Sequence, residues 1–335
     1  MICSRRRFLT IAAATLAGWP RAPRAAPDDA VRWSGTVMGM DGRLVLQSED
    51  RARAARAVGA CLVEIARLER VFSLFRADSA LTRLNRDGML VGPPAELVEV
   101  LAEAQRMTAL SSGAFDVTIQ PLWDLYARHF AKPGADAAGP DDAAIAAALA
   151  RIGMEGVAFS DQGIAFLNPG MAVTLNGIAQ GYITDRIAAL LRAEGFRHVL
   201  IDMGELRTLG PRADGAPWRV AVDGPGDPLT LDVADVAVAT SSGAGTVFDP
   251  AGRHHHIFNP ATGRSSQQAR RVTVVARNAT TADALSTALT VLPAEQARRC
   301  FEASDALEAY LVPPDGPMIA FAATPRQGSG WLDPA

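Results

Sequence analysis

The irregular order of helical and extended segments is the feature that most constrains how this chain can fold. Between residues 49 and 71 the apolar side chains recur at helical spacing, at Val58, Leu62, Ile65, Leu68 and Val71. A turn-rich stretch over 72–92 follows, and a second helix is predicted over about 95–110, where Ser-Ser-Gly at 111–113 ends it. The chain therefore does not begin with the strict βαβ alternation of a doubly wound sheet.

Short extended segments are mixed with helices along the rest of the chain. Apolar and polar residues alternate over 36–47, which predicts an opening strand or hairpin. The further strands are predicted at 157–167, 171–175, 198–203, 218–223, 235–240, 255–258, 271–277 and 307–312. The further helices are predicted at 143–151, 177–194, 281–292 and 294–303. This order favours an α+β fold in which helices are layered on a mixed sheet, within a single compact unit.

The first residues have the pattern of an export signal. Ser-Arg-Arg-Arg-Phe-Leu at 4–9 precedes a short apolar run over 10–19, and small residues lead to Ala25-Ala26. The paired arginines followed by Phe-Leu resemble the twin-arginine signal, although an ordinary secretion signal with three arginines is the alternative. We expect residues 1–26 to be cleaved, which leaves one domain over 27–335 in the periplasm. The apolar run is too short to span a membrane.

Charge excludes two classes of partner. The leader holds five arginines and no acidic residue, so the net charge of −3 becomes −8 when the leader is removed. An acidic body argues against nucleic acid and against an anionic membrane surface. Cys61 and Cys300 remain, and their spacing does not show whether they form a disulfide.

Asp283 and Thr287 form a candidate metal site. They lie four residues apart in a predicted helix, so both oxygens face the same side one turn apart. A carboxylate and a hydroxyl suit a small hard cation such as Mg²⁺. The alternative is a helix cap, because Thr280 and Asp283 have the spacing of a capping box. The residues alone leave both interpretations open.

Three further segments carry polar or glycine-rich patterns. The helix start at 176–182, Asn-Gly-Ile-Ala-Gln-Gly-Tyr, would let backbone amides approach an anion, or it is a tight turn packed on a neighbour. In the turn at 113–118, Asp116 is either a turn-forming acid or a ligand to a polar group. The His-His-His run at 254–256 lacks the other ligands of a metal site. His256 could be a general base or a solvent-exposed structural residue.

Taken in order, eight segments resemble the ApbE-type flavin transferases. Each segment is a weak signal, but together they extend over nearly all of residues 27–335. They are Gly35–Gly39, Phe72–Phe75, Asp78–Asn85, Ser112–Thr118, Asn176–Tyr182 with Asp185, Ala239–Ser241, His256–Gly263 and Ala282–Leu289.

The resemblance implies a T-fold-like architecture and a defined reaction. Members of this family bind FAD as substrate with Mg²⁺, transfer FMN to a Thr or Ser hydroxyl of a partner protein, and release AMP. We therefore expect an acceptor protein, such as a periplasmic or membrane redox subunit. FAD hydrolysis, with water as the acceptor, and a non-catalytic flavin carrier or maturation factor are the alternatives that the sequence leaves open.

The resemblance also assigns site residues. Asp283 and Thr287 become side-chain ligands of Mg²⁺, and the backbone carbonyl of Gly177 becomes a third ligand. Asp283 and His256 are the expected catalytic residues, and His256 is the candidate base because it is the nearest one in sequence to these ligands. The residues expected around FAD are Met38, Ala114, Phe115, Asp116, Thr174, Gln180 and Ile257.

Three positions depart from the family's usual pattern. Thr174 replaces a carboxylate that is expected to contact FAD, and Gln180 replaces a lysine near the phosphates. Glu205 replaces one glycine of a Gly-Gly pair. Losing one negative and one positive charge together leaves the net charge of the pocket unchanged.

Overall fold

The computed structural model describes residues 30–222 and 229–323. The export signal predicted at 1–26 lies outside the described residues. The helices in these ranges are α1 (Arg51–Phe72), α2 (Ala80–Asp87), α3 (Ala95–Leu110), α4 (Gln120–Phe130), α5 (Asp142–Leu149), α6 (Ala179–Ala193), α7 (Ala279–Val291) and α8 (Ala294–Glu302).

The strands in the same ranges are mostly short. They are β1 (Ala30–Val37), β2 (Met40–Gln47), β3 (Met89–Val91), β4 (Val157–Phe159), β5 (Gly163–Phe166), β6 (Val199–Asp202), β7 (Leu206–Leu209), β8 (Trp218–Val222), β9 (Leu229–Val233), β10 (Ala237–Ser241), β11 (Phe258–Asn259), β12 (Arg264–Ser265), β13 (Arg271–Ala276), β14 (Ala306–Val312) and β15 (Ile319–Ala322).

One large sheet organises the molecule. Its strand order is β1-β2-β6-β7-β10-β13-β14-β15, and each neighbouring pair is antiparallel. The predicted α+β layering is confirmed, with the refinement that the large sheet is antiparallel where a mixed sheet was expected. Two smaller hairpins, β8–β9 and β11–β12, and a three-stranded sheet, β3-β5-β4, complete the strand pairing of the described residues.

The large sheet is covered on both faces. Side chains alternate along its strands, so Val199 and Ile201 of β6 enter the core under the helices while Leu200 packs on the opposite core. The hairpin β8–β9 contributes Trp218, Val220 and Leu231 to that opposite core. The sheet is therefore apolar on each side, and helices α1, α6 and α7 occupy one face of it.

Helix α7 lies at the centre of the helical layer. All of its residues except Thr287 are buried, and it packs on β10, β13 and α6. Its sequence is dominated by Ala, Thr and Ser, whose small side chains let it approach its neighbours closely. A helix buried on every side needs partners for its polar groups. Those partners define the candidate site.

Several sequence predictions are corrected by the structure. The predicted strand at 171–175 is a loop, because Val173 forms its backbone hydrogen bonds with the side chain of Asn85, at 2.8 Å in both directions. The turn-rich stretch 72–92 contains α2 and β3, and α4, β7, β9 and β15 were not predicted. The hairpin predicted over 36–47 and the helix over 95–110 are confirmed.

Cys61 and Cys300 are both buried free thiols, so they are not paired. Burial raises the pKa of Cys61 to about 12 and that of Cys300 to about 11, which keeps both thiols protonated and unreactive near neutral pH. None of the helices in the described ranges is long and apolar enough to cross a membrane.

Candidate metal and flavin site

The carboxylate of Asp283 extends from α7 to the first turn of α6. Asn278, not Thr280, is the N-cap of α7, and its side chain accepts the Thr281 N–H at 2.7 Å. The capping-box interpretation is therefore wrong, because Asp283 falls in the second turn of the helix. Its Oδ2 instead accepts the Gly181 N–H of α6 at 3.0 Å. Asp283 thus caps the neighbouring helix.

Gly177 and Thr287 are close neighbours. A Cβ atom built on Gly177 would lie 3.0 Å from Thr287 Oγ1 and 3.4 Å from the ring of Phe115. The absence of a side chain at Gly177 therefore leaves room for the Thr287 hydroxyl and the Phe115 ring. Thr287 lies one turn beyond Asp283 on α7, so the structure brings the three predicted metal ligands together where α6 begins.

Ser241 adds a hydroxyl that the sequence analysis did not place in the site. Its Oγ lies 3.0 Å from Thr287 Oγ1 and 2.7 Å from Ser286 Oγ. It ends β10, the strand on which α7 packs. The sequence contained a signal, since Ala239–Ser241 was among the eight matched segments, but no spacing rule connects positions 46 residues apart.

Burial makes the ionised form of Asp283 costly. The side chain is 3% exposed, and its pKa is raised to about 7 by burial, with the Asp185 carboxylate adding to the rise and the Gly181 N–H opposing it. A cation beside this carboxylate would offset that cost. A buried carboxylate, a hydroxyl and a backbone carbonyl are all oxygen donors, which is the set that a hard divalent cation prefers.

The turn that contains Ala114, Phe115 and Asp116 reaches the candidate metal site through Phe115, whose ring lies near Gly177. Ala114 and Phe115 are buried. Oδ1 of Asp116 accepts the Thr118 N–H at 2.8 Å and the Thr118 hydroxyl at 2.6 Å, so this carboxylate organises the turn. Burial raises its pKa. The Thr174 N–H donates to Val117 at 2.8 Å, which joins the segment before α6 to the same turn.

Two of the three departures from the family pattern, Gln180 and Glu205, are linked through Gly204, which precedes Glu205 in the chain and lies against the Gln180 side chain. The Gln180 amide lies so near Gly204 that a Cβ on Gly204 would be 2.3 Å from its Nε2. This buried Nε2 has no hydrogen-bond partner among the described residues. The next residue, Glu205, is 9% exposed, and burial with the nearby carboxylates of Asp283 and Asp202 raises its pKa well above the usual range.

Met38 lies at the tip of the hairpin that joins β1 to β2. Its φ is 51°, in the left-handed region that a non-glycine residue seldom adopts. Glu69 of α1 holds this conformation, because its Oε1 accepts the Met38 N–H at 2.7 Å. Residues held in such a conformation by a partner are common at functional sites, which agrees with the role expected for Met38.

The three consecutive histidines face different backbone carbonyls. Nε2 of His254 is 3.3 Å from the Ala137 oxygen, and Nε2 of His255 is 2.8 Å from the Ser266 oxygen. His255 is buried and its pKa is lowered by that burial, so its ring is neutral. No cluster of three or more His, Cys, Asp or Glu side chains suited to a metal occurs in residues 30–222 and 229–323. Each of the three rings lies against its own backbone carbonyl.

One loop connects His256 to the candidate metal site at Gly177, Asp283 and Thr287. Nδ1 of His256 lies 3.1 Å from the Thr246 oxygen, and a Cβ on Gly245 would lie 3.2 Å from its ring. Residues 242–246 lead directly to these contacts from Ser241, which touches Thr287. Ile257 is buried beside His256, and its carbonyl accepts the Ser266 N–H at 2.8 Å.

Comparison with known proteins gives a consistent result. The ApbE family model matches residues 38–311. A FAD:protein FMN transferase from Vibrio cholerae is 31% identical over 69% of this chain and 72% of its own length. The corresponding protein from Salmonella typhimurium is 30% identical over 88% of each chain.

Solved structures agree with the sequence relatives. The apo form of the Pseudomonas stutzeri flavinyl transferase ApbE superposes with a TM-score of 0.78 at 26% identity, over 90% of this chain and 96% of that chain. The chain therefore belongs to the ApbE family.

Proposed function

We propose that this protein transfers FMN from FAD to a Thr or Ser hydroxyl of an acceptor protein and releases AMP. The observation that carries the proposal is that α7 lies against the start of α6, with Thr287 close to Gly177 and Asp283 bonded to Gly181. The relatives named FAD:protein FMN transferase support the same reaction. We further propose that these three residues hold Mg²⁺, through one carboxylate, one hydroxyl and one backbone carbonyl.

In the proposed reaction the acceptor hydroxyl oxygen attacks the phosphorus of the FMN half of FAD. The bond from that phosphorus to the bridging oxygen breaks, AMP leaves with the bond's electrons, and the hydroxyl proton passes to a base. Bound Mg²⁺ would supply positive charge to the phosphates as this bond breaks. The Gln180 amide offers a buried N–H donor without a partner in the described chain, which suits a phosphate oxygen.

We propose His256 as the base. Nδ1 of its ring faces the Thr246 carbonyl at 3.1 Å, and a carbonyl can only accept, so the neutral ring carries its proton on Nδ1. The lone pair is then on Nε2, the atom that would take the hydroxyl proton. Gly245 leaves space beside the ring, because a side chain there would lie 3.2 Å from it.

We also propose that the protein acts in the periplasm, on a periplasmic or membrane redox subunit, after export by the twin-arginine route. The support is the Arg-Arg-x-Phe-Leu pattern at 5–9. Cell fractionation with N-terminal sequencing tests this proposal. A cytoplasmic protein that retains residues 1–26 would contradict it.

The reaction is tested by incubating residues 27–335 with FAD, Mg²⁺ and candidate acceptors. We expect fluorescent FMN covalently attached to an acceptor Thr or Ser, AMP in equal amount, and neither product when EDTA is added. Mass spectrometry of the acceptor and chromatography of the nucleotides measure both products. Free FMN with AMP would identify a hydrolase, and FAD that stays bound and intact would identify a carrier.

Metal affinity should depend on pH because a protonated carboxyl is a poor ligand. The pKa of Asp283 is about 7, so the group is mostly protonated below that pH and mostly ionised above it. We expect Mg²⁺ affinity to fall by about tenfold between pH 8 and pH 6. Calorimetry at the two values measures this fall. Equal affinity at both pH values would contradict ligation by Asp283.

Proton linkage also predicts the stability of the metal-free protein. The folded-state pKa of Asp283 is raised above the unfolded value, so the folded protein retains a proton that the unfolded chain loses. The free energy of unfolding should therefore fall as pH rises from about 4 to about 7. Urea unfolding in EDTA should show this fall, and Asp283→Asn should reduce it.

Gly177→Ala should weaken metal binding without unfolding the protein. The new Cβ would lie 3.0 Å from Thr287 Oγ1, so the hydroxyl must move by a few tenths of an ångström. We expect about a tenfold loss of Mg²⁺ affinity, in the range found when residues beside a metal ligand are changed. Gly88→Ala is a poor control because φ is 73° there, whereas Gly59 has open space and ordinary helical backbone. Gly59→Ala should leave the affinity unchanged.

A further inference from the structure

Helices α6 and α7 cap each other. Asp283 of α7 accepts the Gly181 N–H at the start of α6, at 3.0 Å. In the opposite direction, Asp185 of α6 accepts the N–H groups of Ala279 and Thr280, the first two residues of α7, at 2.8 and 2.9 Å. The two helix starts are therefore fixed relative to each other by two carboxylates, one from each helix.

Each carboxylate oxygen of Asp185 accepts two hydrogen bonds. Oδ1 accepts from Ala279 and from Nη1 of Arg207, which extends from β7. Oδ2 accepts from the Thr280 N–H and from the Thr280 hydroxyl, the latter at 2.6 Å. Arg207 is 9% exposed, so the ion pair is largely removed from water. The Arg207 guanidinium thus ties the cap of α7 to the large sheet.

Asn278 and Asp185 cap different N–H groups of α7. Asn278 accepts the Thr281 N–H through its side chain at 2.7 Å, and its carbonyl accepts the Ala282 N–H at 3.3 Å. The N–H groups of Ala279 and Thr280 are accepted by Asp185, which reaches them from the neighbouring helix. Removing the two charges of the Asp185–Arg207 pair from water costs free energy, and buried ion pairs are a weak source of stability. The Asp185–Arg207 pair is better explained by where it places the helix.

We propose that Asp185, held by Arg207, is a positioning residue for the metal ligands of α7. Asp283 and Thr287 lie four and eight residues after Ala279, which is about 6 and 12 Å along the helix axis. A carboxylate that binds the first two N–H groups sets both the axial position and the rotation of these ligands. This inference rests on the proposed metal site at Gly177, Asp283 and Thr287.

The test is the binding of Mn²⁺, as a paramagnetic probe for the Mg²⁺ site, followed by electron paramagnetic resonance on the folded chain. Asp185→Asn keeps the shape of the side chain but turns an N–H₂ donor toward N–H groups of α7. We expect its Kd for Mn²⁺ to rise by about tenfold. Excess Mg²⁺ should restore kcat to within about threefold of the wild-type value, with the KM for FAD unchanged, because a displaced ligand set still binds at high metal concentration.

Thr208→Val is the matched control. Thr208 is the next residue on β7 after Arg207, and its buried hydroxyl forms hydrogen bonds only with Val236 in the described chain. Its loss should lower the melting temperature while leaving the Kd for Mn²⁺ at the wild-type value. A general loss of stability would shift the metal affinity of both variants, and that result would overturn the positioning role.

Thr280→Val gives a milder version of the test, because it removes only the 2.6 Å hydrogen bond to Asp185. We expect a two- to fivefold rise in the Kd for Mn²⁺, and this variant decides the question if Asp185→Asn does not fold. Wild-type affinity in the folded variants would overturn the inference. Wild-type protein that binds no Mn²⁺, or binds it equally after Asp283→Ala, would instead overturn the proposed metal site, and the positioning role with it.

Discussion

Asp283→Ala should reduce FMN transfer to between about 1% and 0.1% of the wild-type rate. The substitution removes the one charged group among the three proposed ligands, and losing one preorganised electrostatic contact to a developing phosphate charge costs a hundredfold to a thousandfold in kcat. Release of AMP from FAD, followed by chromatography at saturating FAD, measures the loss. A variant with wild-type activity would remove Asp283 from the site.

The same substitution should have a different effect on stability. At pH 8 the buried Asp283 carboxylate is ionised in the metal-free protein although its pKa is raised to about 7, so its removal relieves an unfavourable charge. The Gly181 N–H then loses its acceptor, which costs about 1–2 kcal/mol. Since these effects oppose each other, we expect the melting temperature in EDTA to change little while activity is lost.

Asp141→Ala provides the matched control for Asp283→Ala. Asp141 is the N-cap of α5, and its Oδ1 accepts the Ala144 N–H at 2.7 Å on the surface of the protein. Its removal should cost about 1 kcal/mol of stability and leave transfer unchanged. The two variants separate the general cost of losing a capping aspartate from the loss of a metal ligand.

The sequence predicted the parts of the fold that depend on local periodicity. The apolar spacing from Val58 to Val71 defined α1, and the Ser-Ser-Gly segment gave the end of α3 at Leu110. The predicted strand at 171–175 was wrong because the Asn85 amide, 88 residues away, takes the place of a neighbouring strand. No local pattern carries that information, since the pairing depends on the tertiary fold.

In the candidate site, too, local patterns could be predicted from the sequence and tertiary contacts could not. Asp283 and Thr287 could be paired from helical spacing, because both lie on one helix. The resemblance to a family added Gly177, which precedes α6 and lies close to Thr287 of α7. Arg207 could not be found in this way, because its role depends on a strand that was not predicted and on the burial of its guanidinium beside Asp185. Asp185 was present in a matched segment, but its function as a cap appears only when α6 and α7 are adjacent.

Gly181→Ala should be the most destabilising glycine-to-alanine substitution in the helical layer around the site. Its Cβ would lie 2.3 Å from the Ala279 carbonyl oxygen, 2.7 Å from the Ala279 carbonyl carbon and 2.9 Å from Asp283 Cβ. Two of these atoms are backbone, so α6 and α7 must separate. We expect a loss of about 3 kcal/mol in the free energy of unfolding and a fall of roughly 6–12 °C in Tm.

The separation should also damage the metal site, which distinguishes Gly181 from a glycine needed only for packing. Moving α6 away lengthens the hydrogen bond from the Gly181 N–H to Asp283 and draws Gly177 away from Thr287. Gly59→Ala is the control, because its exposed position in α1 has no atom within 4 Å of the new methyl. That variant should gain about 0.5–1 kcal/mol, as expected for Gly to Ala inside a helix. We expect stability and Mn²⁺ affinity to fall together in Gly181→Ala, and neither to fall in Gly59→Ala. That result would show that close contact of α6 and α7 builds the site. A Gly181→Ala variant with wild-type stability would contradict that arrangement of the two helices.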